Sequence, residues 1–349
     1  MQMRLMSYRN AINEALVQEM ERDARVFVYG IDVADHKRIF NSTKGLVEKF
    51  GTHRCFSTPL SEDAMTGFGL GAAINGLRPI HVHMRVDFML LAMNQLTNMV
   101  SSYRYGTNGM LKVPMVIRAI VGRGWGQAYQ HSKTMHSCFA HIPGLKVVMP
   151  STARDAKGAL IAAIRDDDPV VVMEHRLLYD VEGDVPEKME DYRLGKGRIL
   201  NAGNDITVIA TSWMNVEAMK AADILREKQG VSVEVVDPVS LQPLDTELLC
   251  ASVKKTGHCI VADNDWLFCG YSAEIAATIA EQCHGMLKSP VRRIGFAFTP
   301  CPCTRPLEDF FYPKATDIIK AAETALKLGP TDLTGEEFYS YENKFKGPF

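Results

Sequence analysis

Apolar residues in the first half of the chain follow two alternating rhythms. From Tyr8 to Arg22 they fall at helical spacing (Ala11, Ile12, Ala15, Leu16, Met20), and Val26-Phe27-Val28-Tyr29-Gly30 is then a short apolar run closed by a turn residue. The same alternation predicts strands at 54–56, 79–86, 113–120, 146–149 and 169–174, and helices at 64–75, 88–105 and 153–165. Uniformly apolar strands separated by helices imply a parallel sheet covered on both faces. The helix at 64–75 carries Gly67, Gly69 and Gly71, which weaken it intrinsically, so close packing or ligand approach is expected to compensate.

From Val181 to Lys196 the chain turns polar, as a linker would. A second alternation comes next, with strands at 206–210, 231–236, 258–262 and 291–296 and helices at 216–229, 245–256 and 272–283. The fold class is therefore α/β with two domains, each a mainly parallel sheet with helices on both faces. We place the first at 1–185, a linker at 186–198, the second at 199–330 and a polar, aromatic tail at 331–349. A chain of 349 residues is long enough for two such cores.

A net charge of -2 excludes a general nucleic-acid binder, which would carry a basic excess. No apolar run approaches the roughly 20 residues that span a bilayer, and residues 1–10 lack the apolar core of a signal peptide. A cytoplasmic location is the default expectation, with no membrane partner. The eight cysteines do not form a disulfide framework, since most sit in apolar segments. Cys301 and Cys303 flank Pro302 with no second cysteine or histidine pair nearby, which favours packing over metal binding. His81 and His83 share one face of a strand, as two metal ligands or as a polar strand end at a pocket or interface.

Parallel α/β sheets bind ligands at the carboxyl ends of their strands, and two polar clusters fall there. Residues 57–62 lead into the glycine-rich helix and end in Glu62, which is either a capping carboxylate or a functional one. Residues 121–132 come directly after an apolar strand and contain Gly122, Gly124, Gly126 and His131. They match neither the phosphate loop nor the dinucleotide pattern and are read as an active-site loop. His131 in isolation is either structural or catalytic.

Several short motifs then occur in order: Thr58-Pro59-Leu60-Ser61-Glu62, Gly76-Leu77-Arg78-Pro79, Asp87-Phe88, Gln130-His131-Ser132, His141-Ile142-Pro143-Gly144-Leu145-Lys146-Val147-Val148, Asp155-Ala156-Lys157-Gly158 and Ala163-Ile164-Arg165-Asp166. Together, over about residues 7–325, they resemble the beta subunits of thiamine-diphosphate-dependent 2-oxo acid dehydrogenases, the pyruvate, branched-chain and acetoin enzymes. The resemblance implies a transketolase-like pyrimidine-binding domain followed by a transketolase C-terminal domain. It implies decarboxylation of a 2-oxo acid on thiamine diphosphate shared between two subunits. An alpha partner would hold Mg²⁺ and the diphosphate through a GDG motif, which is absent here, in an α₂β₂ heterotetramer. A lipoyl acyltransferase core is the further partner that the resemblance brings. Residue by residue, it implies that Glu62 activates the cofactor, Phe88 stacks on its aminopyrimidine, Leu60 forms an apolar wall, and His131 acts near the reacting end. Ala163, Asp166 and Asp168 resemble a structural potassium site built largely from carbonyls, or else aspartates that cap a loop.

Departures from the family pattern gather toward the substrate end. They are His81-Val82-His83-Met84-Arg85-Val86, then Arg123, Trp125 and Tyr129 in the glycine loop, and Lys133-Thr134-Met135-His136-Ser137-Cys138 after His131. Asp263-Asn264-Asp265-Trp266 stands where a His-Glu pair is usual, and Pro300-Cys301-Pro302-Cys303-Thr304 alters a proline-rich stretch. His83, Arg85, Arg123, Trp125 and Tyr129 are accordingly candidates for a substrate pocket that takes a larger, polar or anionic molecule, unless the changes are neutral drift or answer a different alpha subunit. A carboligase or ketol transferase and a non-catalytic assembly subunit stand as alternatives. A nicotinamide oxidoreductase is weakened by the missing glycine fingerprint.

Overall fold

The computed structural model describes residues 3–36, 38–122, 127–189 and 191–338. Its strands in chain order are Met3–Ser7 (β1), Val26–Gly30 (β2), Cys55–Ser57 (β3), Arg78–His83 (β4), Val116–Val121 (β5), Lys146–Val148 (β6), Val170–His175 (β7) and Glu182–Pro186 (β8). They continue as Arg198–Asn201 (β9), Ile206–Ala210 (β10), Val233–Asp237 (β11), Ser240–Gln242 (β12), Cys259–Trp266 (β13) and Arg292–Phe296 (β14). The chain divides into two units. The first comprises Met1–Val121, Cys138–Gly195 and Ser240–Pro243, and the second Gly122–Ser137, Lys196–Val239 and Leu244–Phe349.

In the first unit the sheet order is β12-β6-β7-β5-β4-β2-β3, parallel throughout except for antiparallel β12 at one edge. Every residue of β2, β5 and β7 is buried, which requires cover on both faces. Helix Tyr8–Arg22 buries Ala11, Ile12, Ala15, Leu16 and Met20, the stripe its sequence period predicts, and packs on helix Ala153–Arg165. Glu19 seals that contact through Arg165, with Nη2 2.6 Å from Oε1. The second unit holds the order β14-β13-β10-β11-β9, with β9 the antiparallel edge. Its core sets Ile206, Val208, Val235 and Ile260 against Ala218, Leu225, Ile318 and Ile319 from helices Met214–Gln229 and Ala315–Leu326. No helix among the described residues is long and apolar enough to cross a membrane.

Three expectations need revision. The polar stretch from Val181 opens with a strand, since β8 pairs antiparallel with β1. The residues after 329 do not all leave the domain, because Leu333 and Phe338 pack on the second core. The single helix expected over 88–105 is broken into Val86–Met89, a 3₁₀ turn at Leu90–Ala92, a π-helix at Gln95–Val100 and Tyr103–Gly106. Polar side chains compete with the backbone there: the Ser101 hydroxyl donates to Thr97 O at 2.7 Å and the Ser102 hydroxyl to the same oxygen at 3.3 Å.

The glycine-rich helix forms as Glu62–Ile74. Of its glycines, Gly69 is the one that packing requires, because a Cβ there would lie 2.1 Å from Tyr29 Oη and 2.6 Å from Met115 Cε. The Tyr29 hydroxyl is fixed by donating to Met65 O at 2.9 Å and cannot yield easily. Gly71 faces open space in this chain. Gly69→Ala should therefore destabilise by about 1–3 kcal/mol, whereas Gly71→Ala should stabilise by up to about 1 kcal/mol through helix propensity. Urea denaturation of the two variants checks this, and equal midpoints would refute the packing argument.

Candidate active site

The sheet of the first unit delivers one set of candidate residues to its carboxyl edge. After β3 the chain is held by Thr58 N donating to Gly30 O at 3.1 Å and by Ala34 N donating to the Ser57 hydroxyl at 3.0 Å. It then enters helix Glu62–Ile74 with Glu62 and Asp63 in the first turn, where the helix dipole favours negative charge. Asp63 accepts from Gln95 Nε2 of the π-helix at 3.3 Å. Glu62 is half-buried, and among the described residues its carboxylate has no hydrogen-bond or ion-pair partner. Leu60 is 82% exposed, and Phe88, on the short helix after β4, is 37% exposed. A carboxylate unshared among the described residues suits a group with a ring nitrogen to share a proton.

His81, His83 and Arg85 are each only 3% exposed. The His81 ring stacks on Tyr29 at 4.6 Å between centroids, with Thr66 Oγ1 3.3 Å from its Nδ1, and the His83 ring lies 4.2 Å from His81. Burial pushes the His83 pKa down to about 3, and burial with the neighbouring His83 holds His81 well below its ordinary value. These two rings therefore bring no positive charge to an anionic substrate, because desolvation penalises it more than any nearby group supports it. Fixed charge instead sits deeper, where Arg118 on β5 meets Glu174 on β7 through Nε–Oε1 at 2.6 Å and Nη2–Oε2 at 2.9 Å. The Tyr179 hydroxyl donates to the same carboxylate at 2.6 Å, and the Arg176 guanidinium lies 4.5 Å from the Phe40 ring centre.

The segment expected to hold potassium is already neutralised by protein cations. Arg78 Nη1 donates to Ile164 O at 2.9 Å and to Asp166 O at 2.8 Å, and Asp166 N reaches Ala163 O at 3.3 Å. The Asp166 carboxylate accepts from Lys146 Nζ at 2.7 Å, and Asp168 pairs with both Lys146 and Arg104. Ala163, Asp166 and Asp168 thus fit a charge-compensated loop rather than an open cation cage. Among the described residues no cluster of three His, Cys, Asp or Glu side chains could hold a metal ion.

The second unit carries the other set. Arg123 and Trp125 lie outside the described residues. His131, half-buried, comes after the 3₁₀ turn Ala128–Gln130. Tyr129 lines a cleft of about 290 Å³ together with Ser132, Lys133, Trp266, Phe298 and Phe311. Just after this loop, two of the noted sequence departures meet. His136 is fully buried, with Nε2 3.0 Å from Asp263 Oδ1 and Nδ1 3.9 Å from Asp265 Oδ2. Asp263 also accepts from the Thr211 hydroxyl at 2.5 Å and from Ser272 N at 3.1 Å, while Asp265 accepts from the Ser137 hydroxyl at 2.8 Å. Burial opposes charge on His136, but the attraction of Asp263 and Asp265 outweighs it and the pKa is raised. Burial likewise opposes charge on Asp263, yet His136, Thr211 and Ser272 hold its carboxyl below the usual range. For Asp265 burial prevails and the carboxyl is raised. His136 and Asp263 stand out in the sequence as separate departures, but their pairing is not apparent there. The opposite signs of the two substitutions were the available signal.

Comparison with known proteins places these residues in context. Residues 4–182 match the family described as transketolase, pyrimidine binding domain, and residues 195–318 match transketolase, C-terminal domain. The acetoin:2,6-dichlorophenolindophenol oxidoreductase subunit beta of Cupriavidus necator is 41% identical over 336 residues, 93% of this chain and 99% of that protein. The 2-oxoisovalerate dehydrogenase subunit beta of Bacillus subtilis is also 41% identical, over 92% of this chain and 98% of its own length. The pyruvate dehydrogenase E1 component subunit beta of Rickettsia felis is 36% identical over 90% of this chain and 96% of its own. Among solved structures, a split gene transketolase in an inactive beta4 tetramer aligns with a TM-score of 0.74 over 93% of this chain and 99% of that one. At 23% identity this is a likeness of fold.

The His136 cluster sets a pH dependence with a definite sign. Its pKa in the fold is raised above the ordinary 6.5, so its contribution is fully present below that value and is lost as pH rises through the folded value. Urea unfolding from about pH 6 to 9 should show the wild-type chain losing stability that His136→Gln does not lose. Asp263→Asn at about pH 6, which strands the buried imidazolium, should cost about 3–5 kcal/mol. Parallel wild-type and His136→Gln profiles would count against a charged His136.

Proposed function

The chain belongs to the family of 2-oxo acid dehydrogenase beta subunits built from transketolase-type pyrimidine-binding and C-terminal domains, and on that premise we propose that it supplies the pyrimidine side of a thiamine-diphosphate site that decarboxylates a 2-oxo acid. The observation that carries the proposal is the Glu62 carboxylate at a helix N-terminus beyond parallel strands, without a partner among the described residues and two residues after the exposed Leu60. Bound thiamine diphosphate supplies the nucleophilic carbon and the electron sink that the reaction needs. Glu62 holds a proton at the pyrimidine ring nitrogen, where a carboxyl group acts as an acid–base partner. Phe88 stacks on the pyrimidine face and Leu60 excludes water from its edge. His131 holds or delivers a proton at the reacting end.

An alpha subunit completes the site by holding Mg²⁺ and the diphosphate, in an α₂β₂ assembly. Leu60, Phe68 and Leu91 are all substantially exposed in the single chain, as expected for a surface that a partner covers.

Because the Glu62 carboxylate bonds to none of the described residues, Glu62→Ala should leave folding intact. In the complex with the alpha subunit it should lower kcat for 2-oxo acid decarboxylation by about 10²–10⁴. Calorimetry should detect thiamine diphosphate with Mg²⁺ binding to the complex and not to this chain alone. Undiminished CO₂ release by the Glu62→Ala complex would sink the proposal.

A further inference from the structure

We propose that the cleft beside His131 seats the side chain of the substrate and that, given the 2-oxo acid reaction proposed above, this side chain is a flat aromatic group of one or two rings. The lining of the cleft is chemically mixed. Trp266, Phe298 and Phe311 supply an aromatic box. The Trp266 indole is fixed by donating to Thr299 O at 3.0 Å, and its ring meets Phe296 and Phe311 edge-on at 5.9 and 6.4 Å between centroids. Phe311 is buried behind it, whereas Phe298 stands 74% exposed on the rim, edge-on to Phe268 at 5.7 Å. The box is thus built before any ligand arrives, which limits the entropy lost on binding.

Ser132 and Lys133, the two residues after His131, line the same cleft. The Ser132 hydroxyl is fully buried and has no hydrogen-bond partner among the described residues, a deficit that a polar ligand atom would remove. The Lys133 ammonium donates to Tyr129 O and brings positive charge to the lining. A molecule that suits both kinds of lining carries an anionic, oxygen-rich head and an aromatic tail. Size agrees: an apolar cavity of about 150 Å³ accepts benzene, and this cleft offers about 290 Å³. Aromatic walls discriminate in favour of a ring over an aliphatic chain, because edge-to-face contacts favour a ring by up to about tenfold beyond area burial alone. Tyr129, Lys133, Trp266, Pro300 and Cys301, five of the residues singled out in the sequence, all line this cleft.

The test uses the alpha–beta complex loaded with thiamine diphosphate and Mg²⁺, with phenylpyruvate, pyruvate and 2-oxoisovalerate as probes. The expected result is a kcat/KM for phenylpyruvate above that for either aliphatic acid, by up to about tenfold. That ratio should collapse in Thr299→Trp, which fills the cleft, and fall in Phe298→Ala, which removes an exposed ring without opening the core. The melting temperature of Phe298→Ala should match wild type. Calorimetric binding of phenylpyruvate to the same complexes is the second readout, and it should weaken in both variants. A preference for aliphatic acids, or a ratio and a binding constant that neither variant changes, would overturn the aromatic assignment while leaving 2-oxo acid chemistry standing. Absence of decarboxylation with every probe would instead refute the reaction, and the binding measurement would still decide the cleft.

Discussion

A parallel strand cannot be joined to its neighbour by a tight hairpin, so each connection must cross the sheet and return to the same end. In the first unit β3, β2, β4, β5 and β7 are paired in this way, and their carboxyl ends are gathered along one edge. The segments leaving those ends hold the residues with chemistry to offer: Ser57 to Glu62 after β3, Arg85 to Phe88 after β4, and His175 to Tyr179 after β7. The second unit repeats the rule with Thr211 after β10, Asp263 to Trp266 closing β13, and Phe298 to Cys301 after β14. The antiparallel strands β9 and β12 lie at sheet edges and carry none of these residues.

Each unit also encloses charge, and the two solutions differ in kind. Arg118 and Glu174 meet through two short bonds, with Ser42 Oγ accepting a third from Nη2 at 3.0 Å. Burial works against the guanidinium, yet Glu174 more than compensates and its pKa lies above the usual arginine value. Such a pair keeps its charge at any pH the protein meets, so it serves as a fixed anchor between neighbouring strands. The His136–Asp263–Asp265 cluster is different because an imidazole can lose its proton. Two carboxylates around one imidazolium leave excess negative charge, and that excess adds to burial in raising the Asp265 carboxyl while Asp263 is lowered.

Periodicity made the regular parts of this fold legible. Helices Tyr8–Arg22 and Ala153–Arg165 and strands Val26–Gly30 and Ile206–Ala210 lie where spacing and apolar runs put them. It failed where side chains rewrite the backbone, as with Ser101 and Ser102 in the broken helices after β4. It failed too where a strand is too short to show a pattern: β12 is three residues and takes its conformation from pairing with β6. Helix Ala315–Leu326 escaped notice although its buried Ile318, Ile319, Ala322 and Ala325 have clear helical spacing. For the site, order of motifs pointed to Glu62, Phe88 and His131, but burial could not be read from composition. His81 and His83 therefore looked cationic and are neutral, and His136 looked incidental and is the centre of a cluster.

The decisive asymmetry is between Arg118, Glu174, His136 and Asp263, buried charges that are each answered, and Glu62, which is not. A carboxylate can stay unpartnered only while water reaches it, because burying it alone would cost far more than its neighbours could return. In this chain Glu62 is half-buried, two residues after the exposed Leu60, an apolar surface that a partner subunit would be expected to cover. Covering that surface removes the water. Whatever seals it must therefore bring a group that shares or neutralises the carboxyl proton, or the assembly would be penalised for forming. A ring nitrogen that exchanged a proton with Glu62 would satisfy this requirement, and on the proposed function association of the subunits and occupancy by the cofactor would then be linked.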